Sequence, residues 1–479
     1  MERDARELDD RLRAYLADEA HERVARARGD RDADPEPAVF ARHAWLGGSA
    51  AIDALGELRE RGRLPAAEVH ATALHLRRFV YERELASVRW TIRGYGPRPV
   101  EVDGHGQPFA EVVAELERGG RPERLALLLG AVDRSAARAL PPIRDAQARA
   151  DEAAARLASL LEPAADTTTK LASVEAAGRF LDATRDLRDE VLSFLSHRGR
   201  EEPSLPRLPS LLRAADLDDA VKRESRAKRV VALGEGFGVA KELGARVRVE
   251  AHAGAVSPRV GLALVKPPTD VRLLVPTAEH GILTELAFAS ASGRALALVL
   301  ANPALPIALA HPVHGGFARL LGDLFALLLF DRERLARERR MPAPVQDSVR
   351  RVAASIVVLH LRIAAAATRA RGERSPDALA TAAREAIGLP VPAPTAALLL
   401  ETPRGAEPRL ASGLSALAAF VALRETFDED FHRNPRTAEL LRGFAARGGL
   451  GTDAELLAAV GGSVDVAPRR LSAFFSGRD

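Results

Sequence analysis

Twelve histidines are spread over the 479 residues, and no two of them are four apart. The helix His-Glu-x-x-His, in which two imidazoles one turn apart hold zinc and the glutamate activates its water, is therefore absent. The nearest string, His21-Glu22-Arg23-Val24-Ala25, ends in alanine. The one local histidine pair is His311-Pro312-Val313-His314. A third ligand from His280, Glu279 or Asp323 would complete a zinc-type site. With Glu279 or Glu285 beside it, such a rebuilt site would hydrolyse peptide or amide bonds. Pro312 places the pair in a loop or at a helix start, where two loop histidines are the plainer account. Gly234-Glu235-Gly236-Phe237-Gly238 has the glycines of a phosphate loop, but it follows a helix end rather than a strand and is expected to be a turn. Ser257, Ser290, Ser292 and Ser412 lie in no Gly-x-Ser-x-Gly elbow, so nothing marks a serine nucleophile.

Composition narrows the classes further. There is no cysteine, which excludes disulfides, thiolate metal sites and a cysteine nucleophile. The 69 basic and 66 acidic side chains alternate along the chain, and only five of the basic ones are lysine. No phosphate-binding stripe results, so no nucleic-acid partner is expected. The most basic cluster, Lys222–Arg229, and the mixed run Arg332–Arg340 are expected to be solvated helix faces. The charged N-terminus has no apolar signal core. The most apolar stretch, Ala295–Ala310, is interrupted by Asn302, Pro303 and Pro306 and falls short of the roughly 20 residues a bilayer needs. No membrane association and a cytoplasmic location are expected. All three tyrosines and both tryptophans lie in the first 95 residues, so a pocket further along would have phenylalanine as its only aromatic.

The elements that must position any site are mostly helices. Leu8, Leu12, Tyr15, Leu16 and Val24 recur at helical spacing. Helices are expected over Ala50–Glu60, Ala66–Arg93, Phe109–Glu117, Arg121–Ala139, Ile143–Leu161, Thr167–His197 and Ser210–Val231. Gly94–Gln107 is expected to be a loop or hairpin, and Pro141-Pro142 to separate two helices. Pro203, Pro206 and Pro209 mark a boundary between lobes, 1–202 and 203–479. Strand patterns then appear at Arg246–Glu250, Val260–Val265 and Asp270–Val275, one small sheet around residues 245–276. Helical patterns resume over Leu283–Leu300, Gly315–Arg340, Val345–Ala370, Pro376–Gly388, Arg409–Phe427, Pro435–Arg447 and Thr452–Val460. Ser375-Pro376 and Thr452-Asp453-Ala454-Glu455 supply N-caps. The fold class is mainly α.

Three stretches carry a family resemblance. They are Pro268–Val275; Gly293-Arg294-Ala295-Leu296 through Pro306 with Gly315–Phe325 and Phe330–Leu335; and Thr426–Pro435 through Leu456–Gly461. In this order they resemble the thimet oligopeptidase and oligoendopeptidase family of zinc metallopeptidases, in particular its shorter bacterial members. The resemblance implies a two-lobed, helical, zincin-like architecture. In it a strand enters the active site, a helix pair carries the metal ligands, and closing helices follow.

The sequence departs from that family at the metal. Matching Gly293–Leu296 to the family's Gly-His-Ala-Leu puts Ser290 and Arg294 at the two histidine positions, Ala291 at the glutamate and the third ligand near Gly315. Matching Glu285 to the family's general base, as a relic, leaves Thr284 and Phe288 as its flanks. Residues 396–427 contain neither histidine nor tyrosine, so the family's substrate-contacting positions also find no match. The expectation is a non-catalytic relative without zinc or another cofactor, binding peptides or a protein partner in the old channel. Arg272 and Arg294 are the candidate peptide contacts. Asp270–Val275 would pair with an extended peptide, and Arg294 would hold a carboxylate such as a peptide C-terminus. The alternatives are an active metallopeptidase rebuilt on His280, His311 and His314, and a structural or regulatory partner acting through its surface. No oligomeric state is indicated.

Overall fold

The computed structural model describes residues 2–28, 36–92, 100–161, 173–200, 202–221, 226–252, 260–266, 268–276, 281–313, 315–328, 331–332, 334–335, 341–401, 405–428 and 430–477. Glu279, His280, His314 and Ser257, with parts of the Lys222–Arg229 and Arg332–Arg340 clusters, lie outside them.

The N-terminal lobe is built on α1 (Glu2–Arg28), α2 (Ala66–Ile92) and α3 (Pro122–Ala154), with a short hairpin of β1 (Val100–Val102) and β2 (His105–Gln107) between the last two. Leu8, Leu12, Tyr15 and Leu16 bury against Phe40, Leu76 and Phe79. Tyr15 meets Phe79 edge-on at 4.9 Å. The expected break at Pro141-Pro142 does not occur, and α3 runs through both prolines. Prolines cost a helix ladder bonds and clash with the preceding turn. Burial of Leu140, Ile143 and Ala146 on either side offsets that here.

α4 (Val174–Ala183) and α5 (Arg185–Gly199) follow, parted at Thr184, where one continuous helix was expected. Ser173 caps α4 by accepting from Ala176 N. α6 (Arg226–Gly236) leads toward the sheet. Gly234 lies inside α6, where a side chain would meet the backbone of Ala240 at 2.8 Å, and Gly238 takes φ 66°, so the glycine run is a helix end and a tight turn.

The sheet has three strands, β3 (Val247–His252), β4 (Gly261–Lys266) and β5 (Asp270–Pro276), in the order β3-β5-β4. β5 pairs in parallel with β3 and antiparallel with β4. Then come α7 (Ile282–Leu300), α8 (Gly316–Leu327), α9 (Ala343–Arg369), α10 (Pro376–Ile387), α11 (Ala393–Glu401) and α12 (Ala406–Phe427), closed by shorter helices to Ser476. The capping box at Thr452 and Glu455 is present as expected.

The main core takes in Leu140 of α3, Leu181, Leu187, Val191 and Leu195 of α4 and α5, and continues to Phe475. A separate core, Leu8 to Leu160, captures Ile307 and Ala308 from the C-terminal half. α7, α9 and α12 are each long and apolar enough to cross a membrane. That corrects the expectation that no stretch reaches this length, since α7 begins at Ile282, ahead of the run considered. In this fold 72–78% of their apolar windows is buried inside the protein.

Candidate functional site

α7 and α8 pack closely, because two glycines face each other across the pair. A Cβ on Gly293 would lie 2.6 Å from Leu321 O and 2.9 Å from Gly322 Cα. One on Gly322 would lie 2.6 Å from both Ser290 O and Arg294 Cγ. The backbones therefore touch, and the α7 positions Ser290 and Arg294 sit directly against α8. The α8 side chains whose charges act on Arg294 and on each other are Arg319 and Asp323. Gly315, expected opposite Arg294, is instead the N-cap of α8 with φ 85°. From α12, Ser412 Oγ donates to Asp323 Oδ2 at 2.7 Å, and Arg409 adds a third guanidinium charge.

The N-terminal lobe closes the other side. Glu19 of α1 accepts from Arg23 at 2.5 Å and from Arg78 of α2 at 3.2 Å. Burial would raise its pKa, but Arg78, Arg23 and His311 hold it down at about 2. One turn from Arg78, His75 Nε2 donates to His311 O at 2.8 Å, and the two rings lie 6.1 Å apart. Burial first, then His311 and Arg78, bring His75 to about 3; burial and Arg78 bring His311 to about 4. Both imidazoles are neutral at pH 7.

Arg294 is the centre of this arrangement. Burial lowers its pKa, Asp323 opposes that, and Arg23, Arg78 and Arg409 add to it, so charges from both lobes converge on it. Among the described residues, its Nε is buried without a partner. Solvent still touches Arg294, Arg319 and Asp323 although protein surrounds them on nearly all sides. Burial also pushes Asp323 up, and pulls Arg319 down to about 10.

The other expected site residues serve elsewhere. Glu285 is buried on the first turn of α7 and pairs with Arg229 of α6, nine residues before Arg294. Ala291 is buried, and Ser292 donates back to Phe288 O. Arg272 is bound by Asp270 at 3.0 Å and Glu250 at 2.8 Å and is not free for a peptide. β5 is the central strand, hydrogen-bonded on both flanks, so it has no open edge for β-addition. The edge strand β4 is covered by α1, with Arg23 donating to Leu262 O at 2.9 Å. Among the described residues, no three histidine or carboxylate groups are placed to hold a metal ion. Arg78 beside His75 and His311, and Arg319 beside Arg294, would repel a cation, so these residues do not fit zinc.

No protein-family model matches the sequence, and no curated protein matches it. Solved structures do match. The M32 carboxypeptidase from Deinococcus radiodurans R1 superposes with a TM-score of 0.57 at 12% identity, over 99% of this chain and 98% of that one. The Pyrococcus furiosus carboxypeptidase gives 0.56 at 12% identity, over 98% and 99%. The fold is that of the helical M32 carboxypeptidases. A putative oligoendopeptidase F from Bacillus anthracis str. Ames gives 0.56 at 11% identity, over 99% of this chain and 84% of that one. The mainly α, zincin-like peptidase fold expected from the three sequence stretches is thus present over nearly the whole chain. The sequence reading named Arg294 and did not name Arg319, Arg409, His75 or the Glu19–Arg78 pair. His75 and Arg78 lie three apart on one helix face, but nothing in the sequence says which face of which lobe they meet.

His75 gives the fold an acid limit. Above about pH 6.5 it is neutral folded or unfolded. Below that, the unfolded chain takes up a proton that the folded site refuses down to about pH 3. Stability should therefore fall with decreasing pH, by about 1.4 kcal/mol per pH unit for this group. Denaturation midpoints at pH 7, 5 and 4 measure it, and His75→Phe should flatten the slope by about one proton's worth.

Proposed function

We propose that this chain is a non-catalytic relative of the oligopeptidase-type metallopeptidases that holds a peptide, or the tail of a partner protein, in the recess between its lobes. One observation carries the reading. In the closely packed helix pair α7 and α8, Arg294 and Arg319 stand partly open to solvent, where the family resemblance leads one to expect metal ligands. A fixed guanidinium repels the cation that the family's chemistry needs. The solved neighbours are peptidases and carboxypeptidases, which supports a recess shaped for peptide chains.

The test is metal content and hydrolysis measured together on untagged protein. After zinc is offered and excess removed, well below one zinc per chain is expected. No chelator-sensitive cleavage of short peptides is expected either. About one tightly held zinc per chain, with cleavage lost on chelation, would overturn the reading in favour of a rebuilt site. Substituting His280, His311 and His314 singly would then show which of them bind it.

A further inference from the structure

We propose that the two lobes are bolted together at three separate seams and move as one body, with no hinge between them. This goes beyond the peptide-holding reading and does not depend on it, since a locked frame admits any ligand only through openings it already has.

The first seam lies along the C-terminal half of α1. Ala20 and Val24 bury against Ala263, Val265 and Leu274 of the sheet. Arg23 donates to Leu262 O at 2.9 Å, and Arg28 engages both oxygens of Glu250, each at 3.0 Å. That two-pronged geometry fixes orientation as well as distance. Glu250 is itself held by Arg272 at 2.8 Å, so the anchor on β3 is not a loose side chain.

The second seam is a bolt from the C-terminal half. Ile307 and Ala308, 1% and 2% exposed, sit in the N-terminal core with Leu8 and Leu12. Asp9 of α1 accepts from Ile307 N at 2.6 Å, and His75 of α2 donates to His311 O at 2.8 Å. The bolt is equally fixed at its own end. Asn302 N donates to Ala446 O at 3.1 Å, and a Cβ on Gly448 would stand only 2.5 Å from Leu309 O.

The third seam joins α3 to α11, which α3 grips at both ends. In the first turn of α11, Thr395 donates from N at 3.1 Å and from Oγ1 at 2.8 Å to Asp133 Oδ1. At its last residue, Arg144 pairs with Glu401, with Nε to Oε2 at 2.9 Å, and Gln147 donates to Glu401 O at 3.4 Å. The acid thus meets the positive end of the helix and the guanidinium the negative end. Between them, Leu398 packs on Leu85, Ala139, Ile143 and Ala146.

A hinge is a rotation about one line. The first two seams lie along α1, where Asp9 and Arg28 stand about 28 Å apart at the helical rise per residue. The third is carried by α3, off that line. No single rotation leaves all three intact.

Two amide protons report on the seams directly, because Ile307 N–H and Thr395 N–H are each bonded to a carboxylate of the other lobe. The experiment is hydrogen exchange read by mass spectrometry on the wild type and Arg144→Ala. Peptides covering Ile307 and Thr395 are compared with one covering Val358, fully buried in α9. In the wild type all three should exchange equally slowly, through global unfolding alone. Exchange at Ile307 or Thr395 about 100-fold or more faster than at Val358 would reveal a hinge and overturn the lock.

Arg144→Ala should loosen the third seam alone. Relative to Val358, Thr395 should then exchange about 10-fold faster while Ile307 stays as slow. No change at Thr395 would show that the grip of α3 holds nothing, and would overturn the three-point lock. Ile307 loosening together with Thr395 would show that the seams are not separate, and would overturn it too. Should Arg144→Ala fail to fold, the wild-type rates decide.

Discussion

Replacing Arg362 with methionine is expected to cost about 3 kcal/mol of stability. Arg362 lies on α9 and is fully buried, with 0% of its surface exposed. Its Nε donates to Ala386 O at 2.9 Å and its Nη1 to Leu181 O at 2.7 Å and Thr184 Oγ1 at 2.6 Å. Nη2 donates to Glu385 O at 2.6 Å. These carbonyls close the last turns of α4 and α10, whose final C=O groups have no partner within their own helices. One guanidinium thus terminates two helices against a third. Burial lowers its pKa to about 10, so it remains charged at neutral pH. Methionine would fill the space but take these donors from Ala386 O and Leu181 O, while Glu385 O would keep Arg188 Nη1 at 2.9 Å. Lysine would keep the charge but reach fewer of them, and should recover only part of the loss. Urea midpoints of Arg362→Met and Arg362→Lys test this. A midpoint for Arg362→Met within error of the wild type would show that the carbonyls find other donors.

Gly322→Ala is expected to destabilise the protein by about 2 kcal/mol and to disturb the recess at the same time. An alanine in mid-helix normally gains stability over glycine. Here its Cβ would press on Ser290 O and Arg294 Cγ, each 2.6 Å away. A backbone oxygen yields only if α7 moves, and Arg294 moves with it. Gly178→Ala in α4 is the control, since a Cβ there meets nothing within 4 Å; it should gain about 0.5 kcal/mol. Opposite signs for the two substitutions are the expected outcome. A gain for Gly322→Ala equal to that of Gly178→Ala would mean that the two helices are not held in contact.

Much of this fold was legible in the sequence because local signals decide it. Ser375-Pro376 and Thr452–Glu455 start helices wherever they occur, and the alternating Arg246–Glu250 segment fits a strand in any context. What escaped was set by packing. Prolines 141 and 142 are breakers by local rule, yet Leu140 and Ile143 keep α3 continuous. Asp270–Val275 has the pattern of a strand, but only pairing shows it to be central rather than an edge, which removes its peptide role. Arg294 was legible as a departure from a motif. Its companions were not, because Arg78, Arg319 and Arg409 come from three helices, successive ones 241 and 90 residues apart, and only the fold brings their charges to bear on Arg294.

The docking of α1 sets the order in which this chain can complete itself. Its outer face waits for distant partners. Ala20 and Val24 pack on Ala263, Val265 and Leu274; Arg28 bridges to Glu250 at 3.0 Å; and Asp9 accepts from Ile307 N at 2.6 Å. During synthesis the first helix emerges more than 200 residues before these contacts exist. Its inner stripe settles early against Phe40 and Phe79, while the outer one stays uncovered. β4 in turn remains an exposed strand edge until α1 arrives, open to pairing with another nascent chain. The seal between first helix and sheet is therefore a late, long-range closure, and slowing it should show first as aggregation of newly made protein, before any loss of stability in the finished one.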